Sequence, residues 1–240
     1  MTGSIEKLTA KALGAVPHGF LGRRGGVSLG TYAGLNVGWG SDDDRAAIAE
    51  NRRRAVEVVC PGASLVTVHQ VHSSDVVTVT APFPDDARPP VDALVSAIPG
   101  LLLGILTADC VPVLFADAEV GVIGAAHAGW KGAIGGVTSR TLDAMEALGA
   151  ERGRIACAIG PCIGRASYEV DSGFVARFCD DDPANARFFA DNRPGHAMFD
   201  IEAYVAARLA QDGITTIEML GQDTCAQEDR FFSYRRSCLR

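Results

Sequence analysis

The sequence predicts a single turn-rich α/β sandwich, and three observations carry that reading. Hydrophobic residues make up 48% of the chain and charged residues 21%, ordinary usage for a folded core and unlike a disordered, collagen-like or coiled-coil chain. The 27 glycines exceed the usual share of about 7 per hundred, and many close an apolar run where a tight turn presents backbone or side chains. No Pro/Gly/Ser-rich linker and no fixed-period repeat divides the 240 residues, so residues 1–240 are read as one domain, within the usual range of roughly 50 to 250 residues.

The elements follow in order. Residues 16–40 are glycine-dense without helical periodicity, which predicts short strand and loop. Ser41 or Asp42 then caps a helix over DDRAAIAENRRRAVEVV, acidic at its start, basic further on, with apolar Ile48, Ala55 and Val59 at helical spacing. The β-branched SLVTVHQVHSSDVVTVTA reads as two strands joined around His72 to Asp75. DDARPPVDALVSAIPG is a loop entering a short helix or strand. LLLGILTADCVPVLFAD and VGVIGAAHAGWKGAIGG are buried strand runs that break into small residues, the habit of strands that deliver a side chain to a site. Helices are expected over 136–148, 172–178 and 201–209. RIACAIG and TTIEML are expected as strands, and DTCAQEDRFFSYRRSCLR as loop with a short aromatic, arginine-rich segment.

Charge and cysteine usage exclude several classes of function. With 22 basic against 29 acidic residues and a net charge of −7, nucleic acid and anionic membrane are poor partners, although a local arginine cluster still suits a small anion. The start, MTGSIEKLTAKALG, has no apolar run of signal-peptide length, and the longest run, IPGLLLGIL, is about half a membrane span. Seven irregularly spaced cysteines fit a reducing compartment with free thiols. A cytoplasmic protein is expected.

The strongest chemical set is His72, Cys110 and His127, each at the end of a strand run. A thiolate with two imidazoles is a normal zinc donor set that leaves a fourth position for water or substrate, and the long spacings suit a site assembled from several strands. His69, three residues from His72, competes for the same place; in an extended strand the two would face opposite ways. The same residues also read as a Cys–His hydrolase pair, with Cys110 as nucleophile and His127 as base, or as packed core. Cys162 in GPCIG is a second candidate nucleophile beside glycine N–H groups, or a small buried residue at a turn. Arg23 and Arg24 before two glycines, Lys131 in GWKG, and the Arg235–Arg236 pair are candidate anion contacts. GRRGG lacks the context of a P-loop or dinucleotide motif. Phe231, Phe232 and Tyr234 suit packing better than base stacking in so acidic a chain.

Taken together, GFLGRRGGVS, LNVG, ENRRR, QVHS, VDALVS, TADCVPVL, AAHAGWKG, IGPCIGRASYEV and DTC followed by FFSYRR resemble the laccase-domain or multicopper polyphenol oxidase proteins (YfiH-like), now regarded as purine nucleoside phosphorylases. The resemblance covers nearly the whole chain. It implies an α+β, single-domain α/β/β/α sandwich with mixed sheets at the centre and helices outside. It also implies one divalent metal on His72, Cys110 and His127, and it selects His72 over His69 as the histidine of Gln-x-His. Five histidines without a His-x-His pattern favour one zinc over a set of copper ions, with copper as the alternative ion.

The implied activity is phosphorolysis of adenosine, inosine, guanosine and S-methyl-5'-thioadenosine, with adenosine deamination in the same pocket. Asp109 is then the acid or base to test beside Cys110 and His127, Arg23 and Lys131 the anion contacts, and Asn36 and Cys162 pocket-lining residues. The implied partners are purine nucleosides and phosphate, with the protein a monomer or weak homodimer. The chain ends SCLR where the family continues towards Thr-Gly-Arg, which leaves the role of Arg240 open. The competing functions are a copper-dependent phenol oxidase, a Cys110–His127 thiol hydrolase, and a non-enzymatic protein whose zinc has a fourth ligand such as Cys162 or His69.

Overall fold

Short apolar runs closed by glycine form the strands, and runs with apolar residues every three or four positions form the helices. The computed structural model describes residues 4–239; Arg240 lies outside them. Its elements begin with β1 (Lys7–Leu8), β2 (Phe20–Leu21), α1 (Arg45–Val59), β3 (Ser64–Thr67), β4 (Val76–Thr78), β5 (Ala93–Ser96) and β6 (Leu101–Gly104). They continue with β7 (Val111–Asp117), β8 (Val122–Ala128), α2 (Trp130–Ile134), α3 (Val137–Glu146), β9 (Ala156–Ile159), β10 (Glu169–Asp171) and α4 (Ser172–Asp181). The last are β11 (Phe189–Asp191), β12 (His196–Phe199), α5 (Ile201–Gln211), β13 (Thr216–Met219) and α6 (Tyr234–Cys238).

The central sheet runs β13-β9-β7-β8-β5-β4. Its inner strands are antiparallel and each edge strand is parallel to its neighbour. On one face Val113, Phe115 and Ala126 pack with Val137, Leu142 and Met145 of α3 and Leu209 of α5. On the other, Leu94 and Ala125 meet Val66 and Leu103 of the parallel β3–β6 pair. Both faces of β7 and β8 are therefore covered, which is why these strands read as continuous apolar runs. The result is a single α+β domain with mixed central sheets and flanking helices, the α/β/β/α sandwich. Among the described residues no helix is long and apolar enough to cross a membrane.

The two strands expected on either side of His72 are present and pair in different sheets, β3 with β6 and β4 with β5, so the segment between them is a crossing loop shaped by side-chain hydrogen bonds. Two local features differ from the sequence reading. Helix α1 is capped by Asp44, which accepts from the N–H of Ala46. Ser41 instead donates to the carbonyl of Gly38. The antiparallel sheet β10-β12-β11 had no signal in the periodicity, because its strands are three or four residues long and its stability comes from ring packing among Phe174, Phe178, Phe189, Phe199 and Tyr204.

At the end of β7 the buried Asp117 accepts hydrogen bonds from Arg154 and from the N–H groups of Glu119 and Glu151. Burial pushes its carboxyl up, but these bonds outweigh burial and hold it below the usual range. A depressed folded pKa stabilises the fold above the unfolded value of about 3.9, and that contribution disappears as pH falls through the folded value. Asp117→Asn is expected to lose about 3 kcal/mol at pH 7 and to show a shallower decline in acid than the wild type, measured by urea unfolding at pH 7, 4 and 3.

Candidate metal centre

The loops at one end of the central sheet bring three side chains together. His127 lies near the end of β8, opposite Pro112 across the ladder. Cys110 directly precedes β7, and His72 comes from the loop between β3 and β4. One donor atom from each lies within 4.8 Å of the others, with Cys110 Sγ 3.8 Å from His72 Nε2. The two imidazoles meet edge to face with centroids 4.8 Å apart. Among the described residues no other group of histidine, cysteine or carboxylate side chains forms such a cluster, and it includes neither Cys162 nor His69.

Asp92, just before β5 and 0% exposed, builds this arrangement. Its Oδ1 accepts from His127 Nδ1 at 2.7 Å and from the N–H of His72 at 3.0 Å. Its Oδ2 accepts from the N–H groups of Val71 and Ser73 and from the Ser73 hydroxyl. One carboxylate thus wraps the 71–73 turn around itself and orients His127 so that Nε2 is the ring nitrogen left to bind a metal. Burial pushes the Asp92 carboxyl up, yet the bonds from His127, Ser73 and Val71 hold it at about 2. Gln70 ties the same loop to the Cys110 turn: its amide donates to the carbonyl of Leu106 and accepts from the N–H of Leu106, at 2.7 and 2.8 Å.

Two residues here have left-handed backbones, His72 with φ 61° and Asp109 with φ 93°. Such conformations persist in residues other than glycine when the surroundings over-determine them, and they concentrate at functional sites. For His72 the constraint is Asp92. For Asp109 it is the C-terminal segment, since its carboxylate accepts from the Thr224 hydroxyl, the Ser233 hydroxyl and the N–H of Arg235 at 2.7, 2.9 and 2.7 Å.

Electrostatics suit a cation. Burial and the neighbouring His127 ring hold His72 below its usual range, with Lys131 adding and Asp92 opposing, so it is a neutral ligand at neutral pH. Burial, with Asp109 and Asp92, pushes the Cys110 thiol up to about 12. Tyr168 nearby is likewise raised to about 12 by burial and Cys110. A thiol in this state is a poor nucleophile by itself, whereas a bound divalent cation would favour its thiolate.

The remaining expected residues are placed differently. Arg23 donates to the carbonyls of Ala33 and Glu228 and lies 4.6 Å from the Phe232 ring centroid. Asn36 holds Ser41 and Asp43. Cys162 is 2% exposed and sits between backbone bonds to Gln222 and Thr224. Lys131, in the first turn of α2, is near enough for its charge to act on His72. Two contributors escaped sequence reasoning, Asp92 and Gly129. The signal for Asp92 was an acidic residue leading the fully apolar strand of VDALVS. Gly129 is required by close approach, since a Cβ there would lie 2.8 Å from His72 Cδ2 and 3.1 Å from Cys110 Sγ. Gly129→Ala is expected to weaken binding of a divalent metal about tenfold or more with little change in unfolding midpoint, read by competition with a chromophoric chelator.

Fold and cluster together define the class: a single α+β domain with one three-donor His/Cys metal-binding cluster at the end of its central sheet. The chain belongs to the multi-copper polyphenol oxidoreductase laccase family, whose model matches residues 17–239. It is 44% identical over 223 residues to a Deinococcus radiodurans protein named purine nucleoside phosphorylase, covering 92% of this chain and 84% of that one. It is 40% identical over 234 residues to the Streptomyces griseus purine nucleoside phosphorylase ORF3, covering 97% and 94%. Among solved structures, the Neisseria meningitidis protein NMB0706 superposes with a TM-score of 0.87 at 30% identity, covering 98% of this chain and 94% of that one. YlmD from Geobacillus stearothermophilus gives 0.87 at 29% identity, covering 99% and 93%.

Proposed function

We propose that this chain is a zinc-dependent purine nucleoside phosphorylase acting on adenosine, inosine, guanosine and S-methyl-5'-thioadenosine, with adenosine deamination at the same centre. The relatives' names support the reaction class, and the observation that carries the site is the three-donor cluster with Asp92 behind His127. The donor set fits zinc: two imidazole nitrogens and a thiol within 4.8 Å of one another, and no fourth protein ligand in the cluster. Five histidines and, among the described residues, a single such cluster do not provide the donors for several copper ions. A bound zinc supplies Lewis acidity at its open position.

The chain's own groups do the rest. In phosphorolysis an oxygen of hydrogen phosphate bonds to ribose C1' as the bond from C1' to the base nitrogen breaks, and the base leaves with that electron pair and takes up the proton that the phosphate gives up. Lys131 is proposed to hold the phosphate as a point charge, with Arg23 a more remote contributor to the field. Asn36 and Cys162 act by holding the loops behind the pocket. Asp109 is assigned to positioning, because its hydrogen bonds to Thr224, Ser233 and Arg235 already engage both oxygens.

Product analysis with adenosine tests the proposal. Adenine and ribose 1-phosphate are expected only when phosphate is present, and inosine without it. No turnover of any purine nucleoside by zinc-loaded protein, together with oxygen uptake on a phenol by copper-loaded protein, would replace this reading with the oxidase.

A further inference from the structure

The face of the central sheet towards β3–β6 is not fully packed. A cavity of about 540 Å³ lies there, walled by β6, β7, β8, the inner side of α1 and the segment around Val16 to Phe20. Its effect is visible along single strands: Leu114 and Ile123 are only half-buried, while their neighbours Val113, Phe115 and Val122, facing α3, are buried. Leu65, Leu102 and Ile105 are half-buried for the same reason. Protein interiors are close-packed, with few voids larger than a water molecule. A void of this size between two apolar layers has the dimensions of a ligand site.

Among the described residues most of the cavity's polar lining is already engaged, the hydroxyl of Thr107 excepted. His18 accepts from the N–H of Ala10 and donates to the carbonyl of Val16. Asn36 is bound to Ser41 and Asp43, and Thr224 to Asp109. A nucleoside, with several donors and acceptors on base and ribose, would leave them unpaired here. The chemistry of the walls fits a hydrocarbon chain instead, since apolar cavities stay dry and accept apolar guests.

One charge interrupts this lining. Arg52, from the ENRRR run that the metal centre does not use, is half-buried in the cavity wall beneath α1. Its guanidinium donates to the carbonyl of Val37 and the hydroxyl of Thr67 and forms no ion pair with a carboxylate among the described residues. It also borders a second surface depression that shares Val56 and Leu65 with the cavity and is lined by Arg53 and Asp85 as well, so the guanidinium lies between the cavity and the surface, with one further cation and one carboxylate beside it. We propose that the cavity is a binding site for an anionic amphiphile, a fatty carboxylate whose chain lies between the two sheet layers and whose head group meets Arg52. The site contains none of the three cluster residues, though it shares Asn36 with the residues assigned to the nucleoside pocket.

Calorimetric titration of the full chain with decanoate, and with decanol as the uncharged arm, tests the proposal. One decanoate per chain and a raised unfolding midpoint are expected. Leu114→Trp and Ile123→Trp fill the void from opposite strands and are expected to weaken binding at least tenfold while nucleoside turnover is unchanged. Arg52→Gln is expected to bring decanoate down about tenfold, to the level of decanol. No binding to the wild type overturns the proposal, and so does binding that persists in whichever filled variant is folded. Equal affinity of wild type for decanoate and decanol overturns the role given to Arg52.

Discussion

Asp92→Asn is expected to lower zinc affinity 10- to 100-fold and to destabilise the protein by about 3–5 kcal/mol. The carboxylate accepts five hydrogen bonds while wholly buried. An amide keeps one acceptor oxygen and turns the other position into a donor. If the oxygen stays with His127, an NH₂ group then opposes the N–H groups of Val71 and Ser73, and buried donors left unpaired carry the full desolvation penalty. The 71–73 turn opens and His72, held in a left-handed backbone by that carboxylate, leaves the cluster. Zinc competition and urea unfolding should change together, with a fall in unfolding midpoint on the order of 10 °C. Wild-type zinc affinity in a folded Asp92→Asn protein would refute the role given to this residue.

Asp109→Ala is expected to have the next largest effect, a loss of about 3–5 kcal/mol. It removes the acceptor of two buried hydroxyl donors and one half-buried N–H and puts alanine at φ 93°, a conformation that β-carbons disfavour. The turn leading to Cys110 would separate from the segment that carries Thr224, Ser233 and Arg235. Hydrogen exchange should therefore accelerate over both segments, with turnover falling in parallel. Asp109→Asn distinguishes positioning from proton transfer. Turnover and stability falling in step support positioning, whereas a stable protein with abolished turnover would restore the acid–base role.

Much of the fold was legible because its long strands are covered on both faces. VPVLFAD and GVIGAAHA announce burial by composition, and α3 and α5 by helical spacing, whereas LLLGIL, which reads as equally buried, is half-buried apart from Leu103 because it borders the cavity. The three-stranded sheet was not legible, because strands as short as Glu169–Asp171 have no periodicity and depend on aromatic residues brought from α4 and α5. The two β-branched runs around His72 do form strands, but their partners were not legible, since the tertiary bonds to Asp92 and Gln70 are what carry the chain from one sheet to the other. At the centre itself, His72, Cys110 and His127 were named from residue chemistry and family motifs, while Asp92 left only the weak signal of an acidic residue before an apolar strand and Gly129 left none. A buried acceptor and a glycine required by close contact act through space, and neither leaves a spacing to read.

The most direct test of the account is phosphate-dependent release of adenine from adenosine as zinc is titrated back into chelator-treated protein, for the wild type and for Cys110→Ala. Turnover is expected to rise with occupancy to one zinc per chain in the wild type, and the Cys110→Ala protein to be folded, to bind zinc far more weakly and to release no adenine. Full turnover after metal removal, or equal turnover by Cys110→Ala, would contradict the account.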